Sequence, residues 1–282
     1  MAPVLALLSS LLWGTSDFAG GVLARRHPVA LVLAATQSIA MVALAVFVAV
    51  GPGFRADGSA LAWGAGSGAV GAVALLCFYR GLASGLMGVV APIAATGAAV
   101  PVLVGVAQGE RPTAVQVAGI VVGIIGVVLV ARPGGSDPAA RHGSPWTPVL
   151  LAAVAAAGFG AGLAMIAQGS QHNAAMTLVA QRAISVIAGL AALLAVRPMV
   201  DGSAMRADAL LFAVGGIFDL SANALFAVAA QDGLVSIVGV LSSLYPVVTV
   251  LLARRVLAER LGTGQSIGIG VAVAGVLLMA TG

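Results

Sequence analysis

The hydrophobic positions of the chain form ten long runs, and the connections between them hold most of the charged residues. Each run has about 20 residues, the length that an α-helix needs to cross a hydrocarbon core of about 30 Å. The runs occupy residues 3–24, 29–50, 60–80, 86–107, 113–131, 147–168, 175–196, 208–229, 234–254 and 263–281. This pattern predicts an all-α integral membrane protein with ten transmembrane helices and little room for a soluble domain.

The composition agrees with this prediction. Of the 282 residues, 61% are hydrophobic and 8% are charged, whereas soluble domains are about 45–50% apolar and about 25% charged. The first run lacks the basic region and the small-residue cleavage site of a signal peptide, so we predict that it is retained as the first helix.

An internal repeat divides the chain into two halves. The segment Glu110-Arg111 returns as Glu259-Arg260, and in both places a glutamine and two glycines follow at the same spacing. Such self-similarity indicates a duplicated unit. We predict a first five-helix repeat at residues 1–131, a Gly/Pro/Ser-rich linker at 132–145 and a second repeat at 146–282.

The odd number of helices in each half has a topological consequence. The second copy must enter the membrane from the opposite side, so the two five-helix repeats are expected to be inverted. Many secondary transporters use inverted repeats to open a site near the midplane first to one face and then to the other. Alternating access is therefore the expected mechanism.

The basic residues are all arginines, and most lie in the connections on one side of the membrane. The positive-inside rule then places both termini outside. The arginines are scattered along the chain and are not gathered on one face, so we expect no nucleic-acid partner. The expected partners are the lipid bilayer, a small-molecule substrate, and protons or a counter-substrate. The oligomeric state stays open.

Several segments together resemble a known group of carriers. They are Leu12-Trp13-Gly14-Thr15-Ser16-Asp17-Phe18, the Pro92 to Pro101 helix before Gly109-Glu110-Arg111, and the Tyr245-Pro246 helix before Ala258-Glu259-Arg260-Leu261. In this order and duplicated, they resemble the drug/metabolite transporter superfamily, specifically proteins with two EamA-type domains. The resemblance implies a ten-helix carrier of the bacterial-type inner membrane, often an exporter of amino acids, metabolites or drugs, with a cavity between the halves. It also implies cytoplasmic termini, contrary to the arginine count.

Asp219 is the first candidate for the functional site. It lies near the middle of the eighth run, where a carboxylate costs about 2.5–3.5 kcal/mol on insertion scales, so we expect it to face a cavity or a partner. Asn223 and Phe226 follow on the same helical stripe. The functional interpretation is a substrate or proton site. The structural alternative is a hydrogen bond to a neighbouring helix.

Asp17 and Arg182 are the other charged candidates within the runs. Asp17 shares one face of the first helix with Trp13, which suggests a ligand site, although an interfacial cap near the arginines at the helix end is an equal alternative. Arg182 matches an arginine often found at this place in EamA-type domains, and its first-half counterpart is Gln37. It could point inward, toward Asp219 or a substrate carboxylate, or snorkel to the interface.

Prolines predict two interrupted helices. In the ninth run, Pro246 accompanies Ser242 and Tyr245, and in the fourth run Thr96 lies between two prolines, Pro92 and Pro101. Interrupted membrane helices expose backbone polar groups, which are tolerated where they line a cavity or are covered by neighbours. The alternative is a simple packing kink.

Other features have structural interpretations. We expect each glutamate of the Glu-Arg pairs to lie at the start of the following helix and to complement its dipole. The glycine pattern at residues 66–71 lies inside a membrane helix and is not a dinucleotide site. Glycines spaced four apart, as in Gly64/Gly68 and Gly119/Gly123, indicate close helix packing.

The chain offers little for catalysis. Its one cysteine, Cys77, excludes a disulfide framework, and its three histidines have no metal-ligand spacing and no carboxylate placed to orient them. We therefore expect no metal, no cofactor and no enzymatic activity.

The sequence thus predicts a secondary transporter, an exporter, that carries a small metabolite, amino acid or drug-like solute across the cell membrane. The alternative is a membrane-embedded ligand sensor or binding protein on a carrier fold without net transport. Function is expected where the halves differ. Pairing Gly68 with Gly215 gives Ala72 and Leu76 as the counterparts of Asp219 and Asn223.

Overall fold

A computed structural model of the protein describes residues 1–50, 57–83, 93–94, 96–130, 146–256 and 262–281. The regular structure in these ranges is helical, with no β-strand. The predicted linker 132–145, Pro92, the start of the predicted helix 86–107 and the Glu259-Arg260 pair lie outside the described residues.

The described part of the first half includes five α-helices and one 3₁₀ turn. They are α1 (Ala2–Arg26), α2 (Val29–Val50), α3 (Gly58–Ala83), the 3₁₀ turn Thr96–Ala98, α4 (Ala99–Ala107) and α5 (Ala114–Val130). α1 ends at His27, whose extended backbone (φ −129°, ψ 153°) suits the residue before a proline. α3 begins where the Asp57 carboxylate accepts a hydrogen bond from the Ala60 N–H (2.8 Å), an N-cap.

The second half begins with the longest helix of the described chain. Its helices are α6 (Trp146–Val196), α7 (Gly202–Ala207), α8 (Ala209–Asp232), α9 (Val235–Ser242), α10 (Tyr245–Val256) and α11 (Thr263–Thr281). Five helices, namely α1, α2, α3, α6 and α8, are long and apolar enough to cross a membrane, and the described chain also has shorter apolar helices.

α6 consists of two arms. A straight helix of its 51 residues would measure about 76 Å, more than twice the thickness of a hydrocarbon core. Asn173 interrupts it with an extended backbone (φ −161°, ψ 106°). The side chain of Asn173 then accepts a hydrogen bond from the Met176 N–H (3.0 Å) and caps the second arm. The arms, 146–172 and 174–196, coincide with the predicted sixth and seventh helices.

The predicted ninth helix is also interrupted. α9 ends at Ser242 and α10 begins at Tyr245, immediately before Pro246. Proline has no N–H to donate to the preceding turn, so the helical ladder cannot continue through it unchanged. The interruption that Pro246 predicts in this helix is therefore confirmed.

Contacts between the halves occur in matching pairs. The Ser16 hydroxyl donates to the Gly215 carbonyl (2.8 Å), joining α1 to α8. The Ser67 hydroxyl donates to the Gly162 carbonyl (3.1 Å), joining α3 to the first arm of α6 in the same way. The second contact is the first with the two halves exchanged, which is the relation that a two-fold axis between the repeats produces.

Helices also approach each other closely at glycines, and these contacts again occur in matching pairs with the two halves exchanged. In each pair below, a side chain on the glycine would overlap the equivalent residues of the other half. Gly68 meets Gln181 and Ile184, and in the same way Gly216 meets Thr36 and Ile39. Gly14 meets Tyr245 and Val248, and Gly160 meets Gly97 and Val100. Gly126 meets Ala272, and Gly275 meets Gly123. The glycine pairs Gly64/Gly68 and Gly119/Gly123 all lie at such helix contacts, and their packing interpretation is confirmed.

The paired contacts correct the register of the repeat. They make Gly216, and not Gly215, the equivalent of Gly68, because each meets the same two positions of the other half. The counterparts of Asp219 and Asn223 are then Gly71 and Leu75, one residue before Ala72 and Leu76. Apolar, glycine-rich helices match each other in several registers, so the sequence alone could not fix this one.

Glu110 joins the two halves at the N-terminus of α9. Its carboxylate accepts hydrogen bonds from the N–H groups of Val235 (2.5 Å) and Ser236 (3.0 Å), the first residues of α9. Two otherwise unpaired donors at a helix N-terminus are thereby satisfied by an anion, which the helix dipole also favours. The expectation that Glu110 serves the helix that follows it is wrong, since it caps a helix of the other half.

Replacing Glu110 by alanine is expected to lower the free energy of unfolding by about 1–2 kcal/mol, because two helix-terminal donors lose their acceptor. The Glu110→Gln variant keeps one acceptor oxygen and should fall between the two. Unfolding in detergent measures both. Equal stability of Glu110→Ala and wild type would show that the cap contributes nothing.

The α5–α11 contact can be tested with two glycines. A Cβ on Gly126 would overlap the backbone of Ala272, whereas a Cβ on Gly270 meets nothing within 4 Å. We expect Gly126→Ala to destabilise the protein by about 1–3 kcal/mol through overpacking. Gly270→Ala, the matched control on the same helix pair, should be neutral. Equal effects of the two changes would rule out close packing as the cause.

Candidate functional site

A cavity of about 680 Å³ lies between the two halves. It is lined by α1, α2 and α3 of the first half, by both arms of α6 and α8 of the second half, and by Tyr245 of α10. Its polar lining residues are Asp17, Gln37, Ser67, Gln181, Arg182, Ser185, Asp219 and Asn223. Six of the eight residues selected from the sequence, namely Trp13, Asp17, Arg182, Asp219, Asn223 and Tyr245, line this one cavity.

The carboxylate of Asp219 is the centre of the polar network. Its Oδ1 accepts hydrogen bonds from Trp13 Nε1 (3.1 Å) and Asn223 Nδ2 (3.1 Å). Its Oδ2 accepts from Gln37 Nε2 (3.3 Å) and Arg182 Nη1 (2.5 Å). Four donors from four helical segments therefore surround one carboxylate, the saturation that a charge away from water requires.

Arg182 points inward from the second arm of α6. Its side chain is 2% exposed, so the snorkelling alternative is wrong. Its Nη1 donates to Asp219 Oδ2 and to Gln37 Oε1 (2.5 Å), and its Nη2 approaches the Asp219 carbonyl (3.5 Å). Of the two inward interpretations, the structure shows the pairing with Asp219.

The contact between Arg182 and Gln37 joins equivalent positions of the two halves. The two residues are equivalent positions of the repeat, because their helix neighbours Gln181 and Thr36 make the matching glycine contacts described above. Equivalent residues can touch only close to the symmetry axis that relates them. The ion pair of Arg182 and Asp219 therefore lies where matching positions of the two halves meet.

A second polar group extends the network toward α3. Gln181 Nε2 donates to Ser67 Oγ (3.3 Å) and to Asn223 Oδ1 (3.3 Å). Asn223 therefore lies between two partners. Its Oδ1 accepts from Gln181, and its Nδ2 donates to Asp219. Gln181 and Ser67 were not selected from the sequence. The signal available was the pair Gln181-Arg182 inside an apolar run, where adjacent polar residues are costly.

Asp17 faces the cavity from α1, one helical turn after Trp13. Among the described residues, no side chain donates a hydrogen bond to its carboxylate. Asp17 lies more than two turns before the end of α1 and lines the cavity, so it does not cap that helix end. Arg26, at the end of α1, pairs with Asp208 at 2.7 Å. Asp17 is thus a carboxylate at membrane depth that faces a cavity with no described donor.

Phe226, from the same stripe as Asp219, is fully buried and supports Trp13. The centroids of the two rings lie 5.9 Å apart and the ring planes are tilted by 43°. Trp13 is consequently fixed at both ends, by a ring contact with Phe226 and by its hydrogen bond to Asp219.

Two selected residues do not line the cavity. Ser242 is fully buried and its hydroxyl donates to the Ala6 carbonyl (3.3 Å), so it fixes α9 against α1. Thr96 is exposed in the 3₁₀ turn and its hydroxyl donates to the Ile93 carbonyl (2.6 Å). Their side-chain hydroxyls therefore serve local structure in this conformation.

His27 has a carboxylate partner that the sequence did not reveal. Its Nε2 lies 2.9 Å from Asp208 Oδ2, and its ring packs against Phe212 with centroids 5.3 Å apart. The hydrogen bond with His27, together with the nearby Arg26, lowers the pKa of Asp208. The cluster ties the end of α1 to the start of α8.

Within the described residues, no group of three or more His, Cys, Asp and Glu side chains could hold a metal ion.

The ion pair predicts a coupled effect on stability. Asp219→Asn or Arg182→Gln alone leaves the other charge buried without its partner, and each is expected to cost about 3 kcal/mol of unfolding free energy. The double variant removes both charges and should be more stable than the sum of the singles predicts, by at least about 1 kcal/mol. Unfolding of the four proteins in detergent measures the coupling, and strictly additive effects would contradict it.

Comparison with known proteins gives the family. The family model described as "EamA-like transporter family" matches the chain twice, at residues 1–132 and 146–281. One solved crystal structure of a protein superposes with a TM-score of 0.77 over 99% of this chain and 98% of its own, at 22% sequence identity, and shows the same fold. A search of curated proteins finds no match. The two family matches together cover nearly the whole sequence, and the chain belongs to the EamA-like transporter family.

Proposed function

We propose that this protein is a secondary transporter that exports a small solute across the cell membrane by alternating access. The observation that carries the proposal is the cavity between the two halves. The polar network that lines it includes the hydrogen bond between Arg182 of the second half and Gln37 of the first. A site on the axis between two repeats can be opened to either side by moving one half against the other. Family membership supports the role in solute transport.

The paired contacts support the two-state mechanism. A contact such as Gly14 on Val248 has its equivalent in Gly160 on Val100. Exchanging the conformations of the halves would therefore regenerate the same kinds of contact, at nearly the same energy, with the cavity facing the other way. In this proposal the halves are inverted five-helix repeats with ten crossings in total.

Two interrupted helices provide points at which one half can move relative to the other. α9 and α10 are separated by a short turn before Tyr245, and Tyr245 itself lines the cavity. α6 is interrupted at Asn173. Such breaks are where a membrane helix can change direction without losing a long ladder of hydrogen bonds.

The role proposed for Asp219 is coupling of the solute to the conformational change. Its carboxylate draws donors from both halves, Trp13 and Gln37 from the first and Arg182 and Asn223 from the second. A solute or a proton that competes for this carboxylate would loosen the connection between the halves. The candidate transport residues are therefore Asp219, Arg182 and Asn223, together with Trp13, Asp17 and Tyr245.

Reconstitution into liposomes tests the proposal. Vesicles that contain the protein should exchange members of a labelled panel of amino acids, amines, sugars and nucleobases faster than empty vesicles do. Asp219→Asn and Arg182→Gln should reduce that exchange to near background, because the halves lose their shared ion pair. Asp232→Asn, at an exposed helix end, is the matched control and should leave the exchange unchanged.

The outcomes separate the candidate functions. Solutes that bind the protein without any exchange above the empty-vesicle rate would overturn transport and favour the ligand-sensor alternative. Proton coupling at Asp219 requires that the wild-type rate depends on pH and that this dependence disappears in a residually active Asp219→Asn protein. An unchanged pH profile in that variant would remove the proton from the mechanism.

A further inference from the structure

The ionisable side chains that line the cavity do not pair one to one. Two carboxylates, Asp17 and Asp219, face one guanidinium, Arg182. Arg182 and Asp219 contact each other directly, and Gln37 binds both of them. Asp17 is left as a carboxylate with no described hydrogen-bond donor in a cavity that is partly open to solvent. A lone charge at membrane depth is costly unless a partner or ligand compensates it.

Two aromatic residues, Trp13 and Tyr245, line the cavity beside the α1 segment that carries Asp17. Trp13 lies one turn before it on the same helix and also lines the cavity. Tyr245 also lines the cavity, and its backbone carbonyl packs against Gly14 of α1. Tyr79 is buried and does not line the cavity, and its hydroxyl lies against Gly20. Aromatic faces near a carboxylate are the surroundings that an organic ammonium group prefers, through cation–π attraction added to the ion pair.

At the equivalent positions, the second half has an aromatic residue but no carboxylate. The matching contacts of Gly14 and Gly160 make Phe159 the equivalent of Trp13 and Leu163 the equivalent of Asp17. Phe159 and Leu163 both line the cavity. The cavity therefore has one acidic end, on α1, and an apolar wall formed by the first arm of α6.

The network also argues against an anionic solute. The Nη1 of Arg182 donates to both Asp219 and Gln37, and its Nη2 is directed at the Asp219 carbonyl. A solute carboxylate that bound Arg182 would compete with Asp219 for this cation and would lie near two carboxylates, Asp17 and Asp219. Such juxtaposition of like charges is unfavourable.

We propose that the solute is an organic cation, an amine or quaternary ammonium with an apolar body, whose charged group binds Asp17 against the aromatic side chains of α1 and α10. The apolar body occupies the space beside Phe159 and Leu163. This inference rests on the proposed transport function and names the class of substrate for the same cavity.

The test is a binding measurement on the purified full-length protein in detergent. Three probes of similar size differ in charge: phenethylamine (cation), 2-phenylethanol (neutral) and phenylacetate (anion). A ligand that binds the folded state raises the unfolding temperature. We expect phenethylamine to raise it in a saturable manner, and 2-phenylethanol and phenylacetate at equal concentration to raise it less or not at all.

Two substitutions locate the charge. Asp17→Asn should weaken phenethylamine binding by about 30-fold or more, because the buried cation loses its partner. Asp17→Glu keeps the charge and should retain most of the affinity. Asp232→Asn, which removes an exposed carboxylate outside the cavity, should bind like wild type. If Asp17→Asn does not fold, the comparison of the three probes on the wild-type protein still decides between cation and neutral solute.

The outcomes distinguish this inference from the proposed function. Equal binding of phenethylamine and 2-phenylethanol, or tighter binding of phenylacetate, would overturn the cation site whether or not the protein transports. Unaltered phenethylamine affinity in Asp17→Asn would overturn it as well. Selective binding of phenethylamine that depends on Asp17, without exchange in liposomes, would support the site and contradict transport.

Discussion

The structure around the cavity depends on the ion pair between Arg182 and Asp219. A guanidinium that is 2% exposed and a carboxylate that is 20% exposed are stable away from water only if each finds several partners. The partners come from different helices, Trp13 from α1, Gln37 from α2 and Asn223 from α8. Satisfying one pair of charges therefore fixes the rotation and the height of four helical segments relative to one another.

Glycine contacts supply the second constraint. Helices surrounded by lipid gain little from burying apolar side chains, so their association relies on close packing and on hydrogen bonds. The glycines of α1, α3, α5 and α6 allow backbones to meet directly, and Ser16 and Ser67 add hydrogen bonds to carbonyls at such places. Packing sets the distance between helices, and the ion pair selects the register in which they meet.

The sequence predicted the helices well because hydropathy and proline act locally. It also predicted that Asp219 faces inward, since a carboxylate near the middle of a membrane helix is costly in lipid. For Arg182 and Asp17 it left an inward and an interfacial position equally open. It could not predict Glu110 as the cap of α9, which needs the position of the other half. Ser242 shares a stripe with Tyr245, yet periodicity cannot tell which neighbour that stripe meets, and Ser242 meets α1 outside the cavity.

The equivalence of Arg182 and Gln37 explains why the repeat had to become asymmetric at its centre. A residue on a two-fold axis contacts its own copy, so an arginine in both halves would bring two guanidinium groups together in a site of low dielectric constant. Glutamine at one of the two positions removes that repulsion, and its amide both accepts from Arg182 and donates to Asp219. The same reasoning applies to Asp219, whose equivalent is Gly71. Two carboxylates facing one axis would need two cations, whereas glycine leaves space where a solute can lie. In the proposed transport mechanism, the matching parts of the halves supply the two conformations, and the residues that differ supply a single binding site.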